Sequence, residues 1–357
     1  MQSEMRPSNN RPLRIAIIGC GAVAELCHLP AVQQISNMEV VALVDRQLPR
    51  AETLAKQFGV SKCLENYQQL SEVEIDGVII GLPNYLHASV SKEFLTKGIA
   101  VLVEKPMALT VTDAEEMVDL AKRHAVPLQV GLMSRYFKGA QLIKRALMND
   151  WLGKLEGFSL ENGLLYDWPA ASGGIVLKDQ AGGGQLVDIG SHMLDLLLWW
   201  FGEVKDVEYR DDSLGGVESD CELSLTLDGP TGPVSGTVVL SRLRNLSNVV
   251  RIVGEQFTLE WDLSSMDSVR MWPTHEVEGH SRFITDSQSE RPQSWHDAFV
   301  IQLEMFAQSI LTGERALTSG DGALGTVALI EQCYRERKPV EWPWMKSAHY
   351  SMVEVGR

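Results

Sequence analysis

The chain has 357 residues, of which 45% are hydrophobic and 22% are charged, a composition typical of a soluble globular protein. At this length a single ordinary core is not expected, so the chain should form two domains. The 47 acidic and 32 basic residues give a formal net charge of −15. This charge argues against nucleic acid or an anionic membrane as a main partner, because both require a basic surface.

The cysteines and the N-terminal segment indicate a compartment. Five cysteines are scattered with no C-x-x-C spacing, which favours reduced thiols over a disulfide framework or a zinc site. The opening MQSEMRPSNNRP is polar and contains proline, so we do not expect a signal peptide. The apolar run MLDLLLWWF is too short to span a membrane. We therefore expect a cytoplasmic protein.

From residue 12 onward, short apolar segments alternate with amphipathic helical segments. The predicted strands are LRIAII, MEVVALVD, IDGVIIGLP, IAVLVEKP and VPLQVGLMSRY. Strands without polar alternation, separated by helices, are typical of a parallel sheet covered on both faces. We predict that residues 12–132 form an α/β Rossmann domain, a doubly wound parallel sheet that binds a dinucleotide.

Beyond residue 132 the pattern changes. A helix, AQLIKRALMN, leads to a strand at LEGFSLENG, a loop over 163–184, and the apolar helix QLVDIGSHMLDLLLWWF. Alternating stretches between 204 and 272 predict antiparallel strands, residues 273–294 a loop, and the segments beyond them two helices. Residues 133–345 should thus form an α+β domain with a large, mostly antiparallel open sheet. Its own helices can cover only part of that sheet, so we expect a homodimer or homotetramer packed through it.

The segment GCGAVA follows the first strand and opens a helix. A dinucleotide turn needs a first glycine for the tight turn, a second for close approach of a pyrophosphate, and a third small residue for packing; Gly19, Gly21 and Ala24 meet these needs. The helix N-terminus would supply N–H donors to the phosphates. Taken alone, the hexapeptide fits a glycine-rich turn of another α/β protein equally well.

Asp45 ends the second predicted strand, where an acidic residue accepts hydrogen bonds from the adenosine ribose. Its carboxylate would repel a 2′-phosphate, which favours NAD over NADP, although Arg46 beside it could receive that phosphate. The predicted cofactor-binding residues follow the first four strands: Gly19, Gly21, Ala22, Val23, Ala24, Asp45, Arg46, Leu82, Pro83, Asn84, His87, Glu104 and Lys105.

Lys105 closes the fourth predicted strand, in the sequence VEKP. Ligands of such sheets bind at the carboxyl ends of the strands, and a buried ammonium is costly unless it is paired. The lysine is therefore a candidate catalytic residue, with Glu104 as a possible ion-pair partner. A cis bond before Pro106 is a further hypothesis. His28, in CHLP, is interpreted as a packed helix residue rather than a ligand.

The apolar helix after the three glycines carries Asp188, Ser191, His192 and Asp195. Positions four apart lie above one another on a helix, so these residues form one polar stripe. An ordinary solvent-facing stripe would contain Lys, Glu or Arg, and this one does not. We predict that the stripe lines a pocket, that the glycines let the backbone approach a ligand, and that Asp195 is the structural member.

The motifs GCGAVA, GLPNYLHA, EKP and GGGQLVDIGSHMLDL, in this order, resemble those of the Gfo/Idh/MocA oxidoreductases, and the resemblance covers nearly the whole chain. It implies a sugar, polyol or related hydroxy compound as substrate and a catalytic group made of Lys105, Asp188 and His192. We expect His192 to exchange the proton near neutral pH and Lys105 to stabilise charge on the substrate oxygen. Asp188 could orient the imidazole or hold a neighbouring substrate hydroxyl, and it should keep His192 basic.

The predicted function is therefore NAD(P)-dependent hydride transfer between nicotinamide and a secondary alcohol or ketone. Two alternatives remain open: a glycosidase that retains NAD and acts by transient oxidation, and a dinucleotide-sensing regulator without catalysis. No third or fourth ligand at zinc-like spacing accompanies His87 and His192, so no metal is expected. The predicted substrate-binding residues are Arg135, Tyr166, Trp168, Asp188 and His192.

Overall fold

The computed structural model describes residues 11–165, 169, 176–275, 282–285 and 293–340. The predicted substrate residues Tyr166 and Trp168 lie outside these ranges. Among the described residues, no helix is both long and apolar enough to cross a membrane.

The described part of the first domain contains a six-stranded parallel sheet with the order β3-β2-β1-β4-β5-β6. Four of the strands are buried along most of their length, as their largely apolar sequences predict. The third strand, three residues at the edge of the sheet, was missed because it is too short to show a periodicity. The strands are Leu13–Ile18 (β1), Met38–Val44 (β2), Lys62–Leu64 (β3), Gly77–Ile80 (β4), Ala100–Val103 (β5) and Leu128–Val130 (β6).

Helices connect these strands, and their ends agree with local sequence signals. The helix after β2 ends at Gly59, which has a φ of 75°, a left-handed conformation that glycine adopts without strain. Thr110 accepts a hydrogen bond from the backbone N–H of Asp113 and caps the helix before β6. The helical segments are Ala24–His28 (π-helical), Leu29–Val32 (α1), Leu48–Phe58 (α2), His87–Thr96 (α3) and Val111–His124 (α4), with 3₁₀ turns at Tyr67–Glu72, Asn84–Leu86 and Met133–Tyr136.

The second sheet has nine strands among the described residues, in the order β14-β13-β12-β11-β7-β10-β9-β8-β15. The pairs β7–β10 and β8–β15 are parallel and the other pairs are antiparallel. Strand β14 lies inside the segment predicted to be a loop. The strands are Leu155–Gly163 (β7), Val204–Asp211 (β8), Asp220–Gly229 (β9), Gly232–Ser241 (β10), Val249–Gly254 (β11), Phe257–Asp262 (β12), Ser268–Pro273 (β13), Arg282–Thr285 (β14) and Lys338–Pro339 (β15).

Two C-terminal helices return to the first domain. Val130 donates its backbone N–H to Thr318 O, and the Gln129 side chain donates to Gln302 O. Ala323 and Val327 join the apolar cluster on one face of the parallel sheet. These contacts attach the second domain to the parallel sheet. The helix before β8 lies close to the ends of β1, β4 and β5. The helices are Lys138–Met148 (α5), Lys178–Ala181 (α6), Gln185–Phe201 (α7), Trp295–Thr312 (α8) and Gly320–Arg335 (α9).

Candidate active site

A cavity of about 840 Å³ lies where the loops after β1, β2, β4 and β5 face the start of α7. A second wall comes from α6, from Gly183 and Gly184, and from the first turn of α7. The predicted cofactor residues that line it are Gly19, Gly21, Ala22, Val23, Asp45, Arg46, Leu82, Pro83, Asn84 and Lys105.

The glycine turn after β1 has the geometry that a dinucleotide requires. Gly19 has a φ of +98°, and a Cβ there would lie 2.4 Å from Gly81 O, so only glycine fits. At Gly21, in contrast, a Cβ would meet nothing within 4 Å and would project into open space. Ala24 is fully buried, as expected for the packing position. The open space at Gly21 is where a phosphate could approach the backbone, so these residues fit an NAD-type cofactor.

Asp45 organises the same end of the cavity. Its Oδ2 accepts the Cys20 N–H at 2.9 Å, and its Oδ1 accepts the Gln47 N–H at 2.8 Å. Each carboxylate oxygen can accept a second hydrogen bond, so a ribose hydroxyl can still be recognised. Arg46 lines the cavity beside it. Both side chains that bear on the choice between NAD and NADP, Asp45 and Arg46, therefore line the cavity.

Three predicted cofactor residues, Ala24, His87 and Glu104, do not line the cavity. His87 is 1% exposed, and its Nδ1 and Nε2 lie 2.7 Å from Pro106 O and 2.8 Å from Leu82 O. Burial lowers the pKa of His87. The imidazole therefore braces the loop after β4 against the loop after β5. Glu104 is also turned inward, toward His28. Asn84 does line the cavity, and its amide donates to Ala181 O at 2.8 Å.

Lys105 pairs with the helix of the second domain, not with its neighbour Glu104. Its Nζ donates to Asp188 Oδ1 at 2.7 Å and to Asp188 O at 2.9 Å. An ammonium has three N–H groups, and two of them donate to Asp188. Among the described residues no acceptor is seen for the third, which remains for a ligand. The bond between Lys105 and Pro106 is cis, as hypothesised. Burial tends to raise the pKa of Asp188, but Lys105, Arg242 and His192 outweigh it and the pKa is lowered.

His192 lies one turn beyond Asp188 on α7 and is largely buried. Its Nδ1 has no hydrogen-bond partner within the described ranges, and the residue does not line the cavity. Burial, and then the charge of Lys105, lower its pKa to about 3 against the opposing effects of Glu104 and Asp188. The expectation that Asp188 keeps His192 basic is therefore wrong, and the imidazole is neutral at pH 7.

The rest of the polar stripe is packed inside the protein, contrary to the prediction that it lines a pocket. Ser191 Oγ donates to Val187 O at 2.5 Å. Asp195 accepts two hydrogen bonds of 2.7 Å from Arg135, in agreement with its predicted structural role. Arg135 is 5% exposed and also donates to two backbone carbonyls. Its guanidinium is thus used entirely within the core and does not line the cavity, so the geometry gives no support to the prediction that Arg135 binds substrate.

The three glycines before α7 make room for protein groups. A Cβ at Gly183 would lie 1.9 Å from the Tyr334 hydroxyl, and one at Gly184 would lie 1.9 Å from Glu218 O. The buried carboxylate of Glu218 accepts the N–H groups of Gly184 and Leu186 at 2.8–2.9 Å and the Tyr334 hydroxyl at 2.8 Å. Glu218 therefore caps the helix that carries Asp188. No local motif marks it, because it lies more than 30 residues from its partners.

Arg242 is a second residue that the sequence did not reveal. Its guanidinium lies 3.7 Å from Asp188 Oδ2 and donates to Gln185 Oε1 at 3.1 Å. Asp188 is therefore held between two cations, Lys105 and Arg242. In the described parts of the chain, no group of three or more His, Cys, Asp or Glu side chains could hold a metal ion.

The chain is similar to known proteins over both of its domains. Residues 13–132 match the model of an oxidoreductase family with an NAD-binding Rossmann fold, and residues 140–260 match the GFO/IDH/MocA C-terminal domain. D-glucoside 3-dehydrogenase of Escherichia coli (strain K12) is 32% identical over 227 residues, which is 62% of this chain and 63% of that protein. Glucose-6-phosphate 3-dehydrogenase of Bacillus subtilis (strain 168) is 31% identical over 199 residues, 53% of each chain. The matched segment thus spans between half and two thirds of these relatives.

Solved structures show the same fold. The aldose-aldose oxidoreductase of Caulobacter crescentus superposes with a TM-score of 0.80 at 24% identity, and covers 91% of this chain and 97% of its own. Levoglucosan dehydrogenase, in complex with NADH and levoglucosan, gives 0.82 at 18% identity with the same coverage. The two family models together match more than half of the sequence. The chain therefore belongs to the Gfo/Idh/MocA family of oxidoreductases with an NAD-binding Rossmann fold.

Proposed function

We propose that the protein is an NAD(P)-dependent dehydrogenase or reductase that acts on a secondary alcohol or ketone of a sugar, a polyol or a related hydroxy compound. The observation that carries the proposal is the wall of the cavity: the glycine turn lies at one side, and the Lys105–Asp188 pair at another. Lysine as donor beside a dinucleotide turn suits alcohol–carbonyl interconversion. The dehydrogenase relatives and NADH-bound neighbours support the same class of activity.

The residues that would hold the cofactor are the turn from Gly19 to Ala24, Asp45 at the ribose, and the loop that begins at Leu82. When bound, the nicotinamide would exchange hydride with the carbon that carries the reacting oxygen. Lys105 would donate its remaining N–H to that oxygen and stabilise the negative charge that develops there. Asp188 holds Lys105 at 2.7 Å, so the ammonium is already oriented before substrate arrives.

His192 is the proposed proton acceptor in the oxidation direction. Burial and the charge of Lys105 lower its pKa to about 3, so the ring is neutral and has a lone pair that can take the proton, but it is a weak base while the charged Lys105 lies nearby. It lies one helical turn from Asp188 and is electrostatically coupled to Lys105. A substrate oxygen held by Lys105 would therefore lie near the imidazole of His192.

The test is a panel of sugars and polyols assayed by absorbance with NAD and NADP, starting with glucosides because both named relatives are 3-dehydrogenases. We expect His192→Asn to bind dinucleotide normally and to lose turnover by at least about a hundredfold, the usual contribution of acid–base catalysis. His124→Asn, in an exposed helix turn, is the matched control. If His192→Asn turns over like this control, the proton is exchanged elsewhere.

Asp45→Asn should change the choice of cofactor. The variant keeps the shape of the side chain and removes the charge that opposes a 2′-phosphate, while Arg46 remains. It also loses one of the two backbone hydrogen bonds that Asp45 accepts, because an amide has a single acceptor oxygen. We expect NADP binding to strengthen by about tenfold or more, equivalent to roughly 1.4 kcal/mol, and NAD binding to weaken slightly. Titration by protein fluorescence measures both dissociation constants. The exposed Asp119→Asn is the control, and an unchanged NADP/NAD ratio would show that Asp45 does not set the preference.

A further inference from the structure

A buried histidine from the first helix reaches under the catalytic lysine. His28 ends the π-helical segment and is 0% exposed. Its Nε2 lies 2.8 Å from Glu104 Oε1, and its ring meets the edge of Phe299 on α8 at a centroid distance of 5.7 Å. Its Nδ1 is buried and has no hydrogen-bond partner among the described residues. Such an arrangement is costly for a residue that only fills space.

Glu104 is held in one position by its surroundings. Its backbone N–H donates to Ile80 O at the end of the parallel sheet. The Lys105 N–H lies 3.4 Å from its Oε2. A Cβ at Gly131 would lie 2.7 Å from that same oxygen, so the glycine makes room for the carboxylate. The side chain thus packs beneath Lys105, on the side away from the cavity.

The charges around Glu104 come from several elements. Burial tends to raise its pKa, but His28, Lys105 and His192 outweigh burial and lower it, so Glu104 is a carboxylate. The titratable groups coupled to it are Cys27, His28, His87, Lys105 and His192. Glu104 opposes the lowering of the His192 pKa more strongly than Asp188 does.

We propose that His28 and Glu104 form a buried pair of positioning residues that acts on the catalytic group from behind. His28 keeps Glu104 charged and fixed, and Glu104 in turn fixes the backbone at Lys105 and supports the proton on His192 during turnover. Neither side chain lines the cavity, so the pair touches neither cofactor nor substrate. This inference rests on the proposed function for its catalytic consequence, but its electrostatic core can be tested without turnover.

The first test uses cofactor-free protein labelled with ¹⁵N-histidine and followed by NMR. Lys105→Met removes the main charge that lowers the His192 pKa and should bring the titration of His192 into an accessible range. Adding Glu104→Gln to Lys105→Met should then lower the titration midpoint of His192 by about one pH unit, as expected for the loss of a nearby opposite charge. Adding the exposed Glu115→Gln instead is the matched control. A midpoint that Glu104→Gln leaves unchanged would overturn the proposal.

The second test measures kcat against pH in the oxidation direction. Glu104→Gln should shift the acid limb to lower pH, because His192 becomes harder to protonate. His28→Phe should shift it in the same direction, because burial then raises the pKa of an unpaired Glu104 until the carboxylate is lost and His192 again becomes harder to protonate. His28→Gln, whose amide can still donate to Glu104, should restore most of the wild-type profile. Dinucleotide affinity should change less than about twofold in all three, since none of these side chains lines the cavity.

The outcomes separate this inference from the proposed function. The variants could instead lose kcat equally at every pH, in proportion to their loss of thermal stability, with the acid limb unmoved. That result would show that the pair has only a structural role and would overturn the inference. If no sugar or polyol is turned over by the wild-type protein, the proposed function fails, and the NMR midpoints still decide whether Glu104 acts on His192.

Discussion

Replacing Lys105 with methionine is expected to reduce turnover by roughly a thousandfold, the upper range for loss of one preorganised donor to a developing oxyanion. Methionine retains the length of the side chain but donates no hydrogen bond and carries no charge. Among the described residues, Asp188 would lose its 2.7 Å partner and keep the cation of Arg242, at 3.7 Å. Lys105→Arg should be almost as inactive, because a planar guanidinium cannot reproduce the point-like donor geometry of an ammonium.

The measurement is kcat with the best substrate of the panel, together with the dissociation constant of the dinucleotide. Binding of the dinucleotide should change little, because the glycine turn and Asp45 remain in place. Lys97→Met removes a lysine that forms an ion pair with Glu93 on the surface and serves as the control. If Lys105→Met keeps turnover within about tenfold of that control, Lys105 is not the catalytic donor, and the proposed function loses its main support.

Arg135→Met is expected to destabilise the protein by about 3–5 kcal/mol, the usual cost of removing one partner of a buried ion pair. Asp195 is fully buried, and burial raises its pKa despite the two hydrogen bonds from Arg135 and one from Thr326. Without the guanidinium, its charge would be left uncompensated in the core. The double variant Arg135→Met/Asp195→Leu should recover a substantial part of the loss, because apolar side chains of similar volume tolerate burial well.

The check is the thermal unfolding midpoint of both variants, with the exposed Arg123→Met as control. A single variant that unfolds at the midpoint of this control would contradict the structural role of the pair. The same protein also tests the site: since Arg135 does not line the cavity, the folded fraction of Arg135→Met should keep the KM for substrate. A large increase in KM would instead support the prediction that Arg135 binds substrate.

The sequence by itself determined the elements and the places where chemistry could occur. The unbroken apolar strands predicted a parallel sheet, and GCGAVA, Asp45 and Lys105 were correctly placed at its carboxyl end. These properties are local: a strand shows in its own residues, a tight turn in its own glycines, and a helix face in residues three or four apart. The three-residue strand β3 and the strand β14 were missed because such short or polar segments carry no clear periodicity.

Only the tertiary structure decided which polar groups meet. Lys105 pairs with Asp188 across 83 positions, His28 with Glu104 across 76, and Arg135 with Asp195 across 60. A pattern of side chains along one strand or helix says nothing about partners at such separations. Burial then sets the protonation of these groups, because a charge in the interior is stable only beside a partner that the fold brings to it. The sequence therefore identified Lys105, Asp188 and His192 as candidate residues, and the fold determined their partners and protonation states.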